Sequence, residues 1–396
     1  MSRMRLREII GKPLTGEWGN EDLTGTGVPV LRTTNFTNDG IISFDNVVTR
    51  DISPNRLNDK WLKHGDIIIE KSGGSDRQPV GRVVYYVGEN NAYTFNNFTS
   101  ALRVQDQSHW NPKFVFYALF YNYAIGGTRK YENKTTGLHN LKLNLFVDKF
   151  AINWISVSEQ NRIVAVIDAI THLISLRQRQ AEKLDELVKA RFVEMFGDPV
   201  RNTKHWEKAS LLVLGSCKNG MSFHANESGI KLRCLGVGDF KNLSYIDDVE
   251  QLPFVSLAEK PSANCFLHDG DIVFVRSNGN KALVGRCLLV YPRDTPTIYS
   301  GFCIRYRLLT EKVDPIYALH VLKAEGIRQK MSGRGANIQN LNQKILAAIE
   351  MPIPPLPLQN AFATFVHEVD REKERIQRSA ALLETLKRSL MQQYFG

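Results

Sequence analysis

The sequence predicts an α/β (α+β) protein in which two pseudo-repeated modules are separated by two long helices, and three observations carry that prediction. Residues 158–196 run for 39 positions without Gly or Pro, with apolar or small side chains at Ile163, Ile167, Ile170, Ile174, Ala181, Leu184 and Val188. These steps of four and three draw a coiled-coil stripe along one helix face. Sliding the sequence by 199 residues lays residues 358–396 on 159–197 without a gap, Gln160-Asn161 on Gln359-Asn360 and Phe196-Gly197 on Phe395-Gly396. Outside the helices, a strand, a polar Gly-rich loop and a second strand occur twice, as HGDIIIEKSGGSDRQPVGRVVYYV (64–87) and DGDIVFVRSNGNKALVGRCLLVY (269–291).

In chain order, residues 1–60 alternate short apolar stretches with turn residues, a pattern of short strands and long loops that requires no helix beyond about two turns. The strand–loop–strand unit follows. Gly65-Asp66-Ile67 aligns with Gly270-Asp271-Ile272, Lys71-Ser72 with Arg276-Ser277, and Val80-Gly81-Arg82 with Val284-Gly285-Arg286 after a one-residue gap. Next, NPKFVFYALFYNY (111–123) and DPIYALHVLKAEG (314–326) each open with an Asx-Pro pair, the cap and first turn of a short helix. Tyr117-Ala118-Leu119 matches Tyr317-Ala318-Leu319, which places the two Asx-Pro pairs three residues out of register. Polar loops, GGTRKYENKTTG and SGRGANIQN, lead toward the long helices.

Ser156 and Glu159 have the spacing of a capping box for the first long helix, and Gly197 with Pro199 supplies its stop. At a rise of ~1.5 Å per residue that helix is about 58 Å long, and a lone amphipathic rod of that length cannot bury its stripe. The second copy is the partner, with Phe362, Val366, Val369, Ile376, Leu383 and Leu390 as its seam. It is entered through MPIPPLPLQ, a rigid extended lead-in more than a PxxP ligand. The predicted boundaries are 1–157 for the first module, 158–197 for the first helix, 198–357 for the second module and 358–396 for the second helix. Because the chain stops where the second copy stops, a complete two-unit protein is expected.

With 396 residues, 43% apolar and 10% aromatic, the chain has the composition of a globular protein. The longest apolar run, FVFYALFY, cannot span a bilayer, and no signal-peptide core follows the basic start, so a cytoplasmic address is expected. Cys217, Cys234, Cys265, Cys287 and Cys303 are far apart and without metal-ligand spacing, as befits structural thiols. Of the net charge of +10, the modules carry +4 and +5 while the helices carry 0 and +1. The basic excess belongs to the modules, as expected if they touch a polyanion while the rods pack on protein.

No phosphate-binding loop, metal-ligand spacing, nucleophile turn or methyltransferase Asx-Pro-Pro-aromatic motif is present. A nuclease reading of Asp66, Glu70 and Lys71 fails because Glu70 and Lys71 are adjacent and point to opposite faces of a strand. Binding is better supported. Lys71, Ser72, Ser75, Arg77, Gln78 and Arg82 cluster around one Gly-rich loop, and Arg276, Ser277, Asn278, Asn280, Lys281 and Arg286 around its counterpart. Arg and Lys suit phosphates and guanine, Asn and Gln suit adenine. A second candidate surface comprises Arg129, Lys130, Lys134 and Thr135 with Arg328, Lys330, Arg334 and Asn337. The framework repeats while loop tips differ, which suggests two sites of like geometry and different specificity.

Assembled in this way, the chain resembles the specificity subunit of a type I restriction-modification system over essentially its whole length. The resemblance rests on the module–rod–module–rod order, the GDI…G…VGR unit in each module, and helices ending in LDELVKARFVEMFGDP and LLETLKRSLMQQYFG. It implies that each module is a target recognition domain reading one half of a bipartite double-stranded DNA site. It implies two long helices packed as an antiparallel coiled coil, which set the spacing and dock two modification (methyltransferase) subunits, with a restriction or motor subunit where one is present. It further implies that this chain is not an enzyme and binds no metal or cofactor, S-adenosylmethionine, ATP and Mg being held by partner subunits. The first helix departs from the pattern, being entered through VSEQ rather than a proline-rich segment. The competing reading is a coiled-coil adaptor, or another two-headed nucleic-acid-binding protein without modification partners.

Overall fold

The computed structural model describes residues 2–135, 138–223, 227–240, 244–332 and 340–396. They divide into two compact units, residues 1–178 with 378–396 and residues 179–377, so that each long helix contributes to both.

In unit 1, Arg3–Arg5 pairs antiparallel with Ala151–Asn153. A four-stranded antiparallel sheet follows, in the order Leu14–Thr15, Thr99–Leu102, Ile67–Glu70, Val83–Tyr85. Ile67, Ile68 and Ile69 are wholly buried because both faces of this central strand are covered. A second sheet runs Asn20–Glu21, Val48–Asp51, Val28–Leu31, Thr94–Phe95, its last pair parallel. Helix Pro112–Ala124 covers the first sheet, and Asn111 caps it by accepting hydrogen bonds from the Lys113 and Phe114 N–H groups at 2.8 and 3.2 Å.

Unit 2 repeats this plan internally. Lys208–Ser210 pairs with Glu350–Pro352, and the main sheet runs Gly215–Asn219, Cys303–Leu308, Asp271–Val275, Cys287–Val290, with Tyr245–Ile246 added in parallel at the edge. Ile230–Leu235 lies between Phe254–Leu257 and the parallel strand Thr297–Tyr299. Helix Pro315–Lys323 is capped by Asp314, and a further helix, Glu325–Ser332, follows it.

The long helices span Val157–Phe196 and Leu356–Phe395, 40 residues each. The Ser156 hydroxyl accepts a hydrogen bond from the Glu159 N–H at 3.3 Å, and Gly197, at φ 76°, ends the first helix in the left-handed region that favours glycine. Ile163, Ile167, Ile170, Ile174, Val188, Phe362, Val366, Val369 and Ile376 are buried as the stripe predicts. Leu184, Leu383 and Leu390 are only half-buried. Near the end of the second helix Met391, 5% exposed, joins the unit 1 core in the place expected of Leu390, with Tyr394 and Phe395 packed beside it. There the stripe follows the module core that the helix end meets. In unit 2 the two helices pack antiparallel: Asp185 pairs with Lys373 at 2.5 Å, while Phe192 and Phe196 lie 5.5 and 5.4 Å from the ring of Phe362.

One buried amide fastens each long helix to its module. The Gln160 amide donates to the carbonyls of His109 and Ile155, both at 2.9 Å, and its oxygen accepts from the Asn111 N–H at 2.8 Å. Gln359 does the same with the carbonyls of Lys312 and Pro354 and the Asp314 N–H, at 3.0, 2.7 and 2.9 Å. These contacts set the true register of the short helices. Counted from Asn111 and Asp314, Tyr117 corresponds to His320, and the Tyr-Ala-Leu match is a coincidence of sequence.

Candidate nucleic-acid interface

The repeated Gly-Asp-Ile is the foundation of the site rather than part of it. Asp66 and Asp271, each 1% exposed, receive two hydrogen bonds from Arg103 (2.7 and 2.6 Å) and Arg307 (both 2.7 Å). Each arginine also donates to a carbonyl, of Trp61 or Phe266. A buried carboxylate satisfied in this way fixes the start of the strand that ends at the Gly-rich loop.

At that strand end the backbone geometry is the same in both units. The N–H groups of Lys71 and Ser72 donate to the Phe98 carbonyl at 2.9 and 3.2 Å, and the Lys71 carbonyl accepts from Leu141 at 2.8 Å. The N–H groups of Arg276 and Ser277 donate to the Phe302 carbonyl at 2.8 and 3.2 Å, and the Arg276 carbonyl accepts from Leu341 at 2.8 Å. Ser72 faces Asn140 in the sheet of Ser72–Gly74, Leu138–Leu141 and Glu132–Thr135, and Ser277 bridges to Asn340. The two candidate surfaces, far apart in sequence, therefore form one surface within each unit.

In unit 1, Ser75, Arg77 and Gln78 are exposed, their turn closed by the Ser75 N–H to the Gln78 carbonyl at 2.7 Å. Arg129 and Lys130 are exposed beside it, the Arg129 guanidinium 3.4 Å from the Asp76 carbonyl. Lys71 is half-buried, and burial lowers the pKa of its ammonium. The carboxyl of Glu70 is raised by burial, which Arg82 opposes. Arg82 departs from expectation: its guanidinium donates to the carbonyls of Phe36 and Thr33 at 3.1 and 2.9 Å and lies 3.7 Å from Glu70. Its side chain, 14% exposed, is thus engaged with residues 33 and 36 and with Glu70.

In unit 2, Arg276 donates to the Gly301 carbonyl at 3.1 Å, and with Met221, Phe223, Phe302 and Asn340 it borders a cavity of about 430 Å³. Asn278 and Asn280 use their side-chain oxygens on the turn, accepting from the N–H groups of Asn280 and Ala282 at 2.7 and 3.0 Å. Arg286 is half-buried, Lys330 is exposed, and Arg328 donates to the Ala282 carbonyl. Lys134 lies in strand Glu132–Thr135 and Lys281 in the turn Lys281–Leu283. Arg334 and Asn337 lie outside the described residues.

Sequence reasoning missed two side chains. Phe98 and Phe302, the residues whose carbonyls anchor the loops, expose 51% and 63% of their surface. Each stands just before a buried strand, Thr99–Leu102 or Cys303–Leu308, where an aromatic reads as core; the only available signal was its similar distance from Lys71 and Arg276.

Away from these loops, a cleft of about 1510 Å³ in unit 2 lies between the long helices and helix Pro315–Lys323 and contains Lys323 and Asp370. Among the described residues no three His, Cys, Asp or Glu side chains converge as metal ligands. Burial pushes the Cys217 and Cys287 thiols to about 11 and Cys234 to about 12. Thiols held protonated in this way are poor nucleophiles. Among the described residues no helix is long and apolar enough to cross a membrane.

Comparison with known proteins places these observations together. A family model described as type I restriction modification DNA specificity domain matches residues 211–384. The type I restriction enzyme MjaVIII specificity subunit of Methanocaldococcus jannaschii is 24% identical, the match covering 66% of each chain and so just under two thirds of that relative. The StySPI specificity subunit of Salmonella potsdam is 23% identical over 93% of this chain and 81% of its own. The EcoKI specificity subunit of Escherichia coli K12 is 22% identical over 93% and 82%. The crystal structure of the type I restriction-modification S subunit from M. genitalium superposes with a TM-score of 0.55 at 15% identity, covering 100% of this chain and 96% of that one. A chain from a structural study of complex assembly in the type I system gives 0.60 at 15% identity, with 100% and 97% covered. At these identities the superpositions show the fold alone.

Proposed function

We infer that this chain, a member of the type I restriction-modification specificity-subunit family, is the DNA-reading component of such a system. Each unit reads one half of a bipartite site in double-stranded DNA, and the stretch between the halves is spanned without being read. The observation that carries this reading is the duplicated loop base. Lys71-Ser72 beside Asn140 and Arg276-Ser277 beside Asn340 occupy the same framework, while the tips, Ser75-Arg77-Gln78 and Asn278-Asn280-Lys281, differ. A common backbone holding different donors and acceptors suits two readers of unlike half-sites. The exposed Arg77, Arg129, Lys130 and Lys330 are suited to phosphate contacts, in line with the positive charge carried by the modules.

Linking two weak readers raises their joint affinity through effective concentration. Two modification subunits dock on the long helices and supply the methyl-transfer site, S-adenosylmethionine and Mg, and ATP belongs to a motor subunit where one accompanies the system. This chain contributes recognition and assembly, not chemistry, and acts where the DNA is, in the cytoplasm.

The test is a genome-wide map of adenine methylation in the source cell with and without this gene. Deletion is expected to erase one two-part motif with an unread spacer. An unchanged map would overturn the assignment in favour of a nucleic-acid-binding or adaptor protein without modification partners.

A further inference from the structure

We propose that Phe98 and Phe302 are base-contacting anchors, one in each recognition surface, whose exposed rings pack against nucleobases of the two half-sites. The inference rests on the DNA-reading function above and adds to it a pair of residues and the kind of contact they make.

The first ground is rigidity combined with exposure. Phe98 stands in a turn closed by the Thr99 N–H to the Asn96 carbonyl at 3.1 Å, and Phe302 in one closed by the Cys303 N–H to the Ser300 carbonyl at 2.8 Å. The carbonyl of each phenylalanine accepts two further hydrogen bonds, from Lys71 and Ser72 or from Arg276 and Ser277. Phenylalanines 51% and 63% exposed therefore stand on a fixed backbone and are not the product of a loose loop. A pre-positioned aromatic binds with little loss of conformational entropy.

The second ground is duplication against a changing background. Between the two turns Asn96 becomes Ser300, Asn97 becomes Gly301 and Thr99 becomes Cys303, and the neighbouring cation changes from Lys71 to Arg276. Within the four residues of the turn the exposed phenylalanine alone stays, beside the shared Ser72 or Ser277 of the loop base. Packing inside the module gives little reason for this, since Phe98 and Phe302 each leave half or more of their surface exposed.

The third ground is the chemistry of the neighbourhood. In unit 2 the ring borders the cavity of about 430 Å³ together with Arg276 and Asn340, so an apolar face lies beside a guanidinium and a carboxamide. Phosphates offer nothing to a phenyl ring, whereas bases offer thymine methyl groups and π faces. A nucleobase is thus the part of DNA that this combination fits.

The test is selection of bound duplexes from a random-sequence library by the full-length chain and by its Phe98→Ala, Phe302→Ala and Phe302→Leu variants, with a thermal melt for each. Wild type is expected to yield a two-part motif. Phe302→Ala should blur one or two positions in one half only, and Phe98→Ala in the other half only. Each should weaken the selected duplex roughly tenfold, the scale of one lost base contact, and leave the slope of log affinity against log salt unchanged. Phe302→Leu, which keeps an apolar side chain, should fall between and guards against a folding defect in the alanine variant. Variants that keep both halves and full affinity, or that lose about one unit of salt slope with the motif intact, would overturn the anchor role while DNA recognition stood. A wild-type chain that selects no motif would remove both.

Discussion

In unit 1 the short helix Pro112–Ala124 meets the first long helix through charge: Lys113 pairs with Asp168 at 2.8 Å, and the Tyr117 hydroxyl donates to the same carboxylate. In unit 2 the equivalent positions of Pro315–Lys323 are Ile316 and His320, and His320 stacks on Phe192 at 6.2 Å and meets Phe362 edge-on at 5.1 Å. The surroundings of these two helices have diverged from polar to aromatic, yet the backbone framework has not moved. What stays fixed is a small set of buried polar contacts: a carboxylate–guanidinium pair under each loop, and one glutamine at the start of each long helix. Apolar contacts tolerate replacement by other shapes, whereas a buried hydrogen-bonding group demands its partner at a set distance and angle.

The largest effect should come from the ion pairs. Asp66→Ala leaves Arg103 without its carboxylate and should destabilise unit 1 by about 3–5 kcal/mol; Asp271→Ala should do the same to unit 2 through Arg307. Urea titration read by hydrogen exchange separates the units. Equal loss of protection in both units from a single substitution would break the picture of two independent cores.

Next come the glutamines. Gln160→Leu strands the Asn111 N–H and the carbonyls of His109 and Ile155, and Gln359→Leu strands the Asp314 N–H and the carbonyls of Lys312 and Pro354. Each should cost about 1–3 kcal/mol and speed exchange at the first turn of the short helix in its own unit. A cost under ~0.5 kcal/mol would mean that the helix entry is held by packing alone.

These residues also mark how far the sequence could be read. Periodicity gave the long helices to within two residues at each end, because a stripe repeated over many turns averages out local exceptions. The 199-residue offset placed Gln160 on Gln359. Their role stayed hidden, since a polar residue on a long helix reads as a solvated one until the backbone groups it serves are brought to it. Asp66 was legible only as part of a repeated Gly-Asp-Ile, because its partner, Arg103, lies 37 residues away. Arg82 looked like a surface cation for the same reason: the carbonyls that hold it come from residues 33 and 36. The loop bases were legible as repeats, but their union with Asn140 and Asn340 depends on strand pairing, which local pattern does not encode.

The smallest effect tests the divergence itself. Burial, aided by the Lys323 ammonium, pushes the His320 imidazole down to about 3, so it is neutral in the folded unit and takes up a proton only after unfolding. The stability it contributes is fully present above its ordinary value of 6.5 and is lost as pH falls from there toward 3, at up to ~1.4 kcal/mol per pH unit. Other charges face the same region. Asp370 is pushed up by burial and favours the folded unit as acid is added, so it offsets part of the loss at the low end; Asp185 and Lys373 act on it and on Lys323, and His367 acts on Asp370. In unit 1 the counterpart, Tyr117, is raised by burial and by Asp168 and carries no charge anywhere in this range. Between pH 7 and 5.5, unit 2 should therefore lose about 1 kcal/mol relative to unit 1, measured as the separation of the two unfolding transitions. His320→Phe, which keeps an aromatic ring between Phe192 and Phe362, should remove that difference. If the acid sensitivity survives in this variant, it belongs to the carboxylates and not to the aromatic filling that distinguishes the second unit.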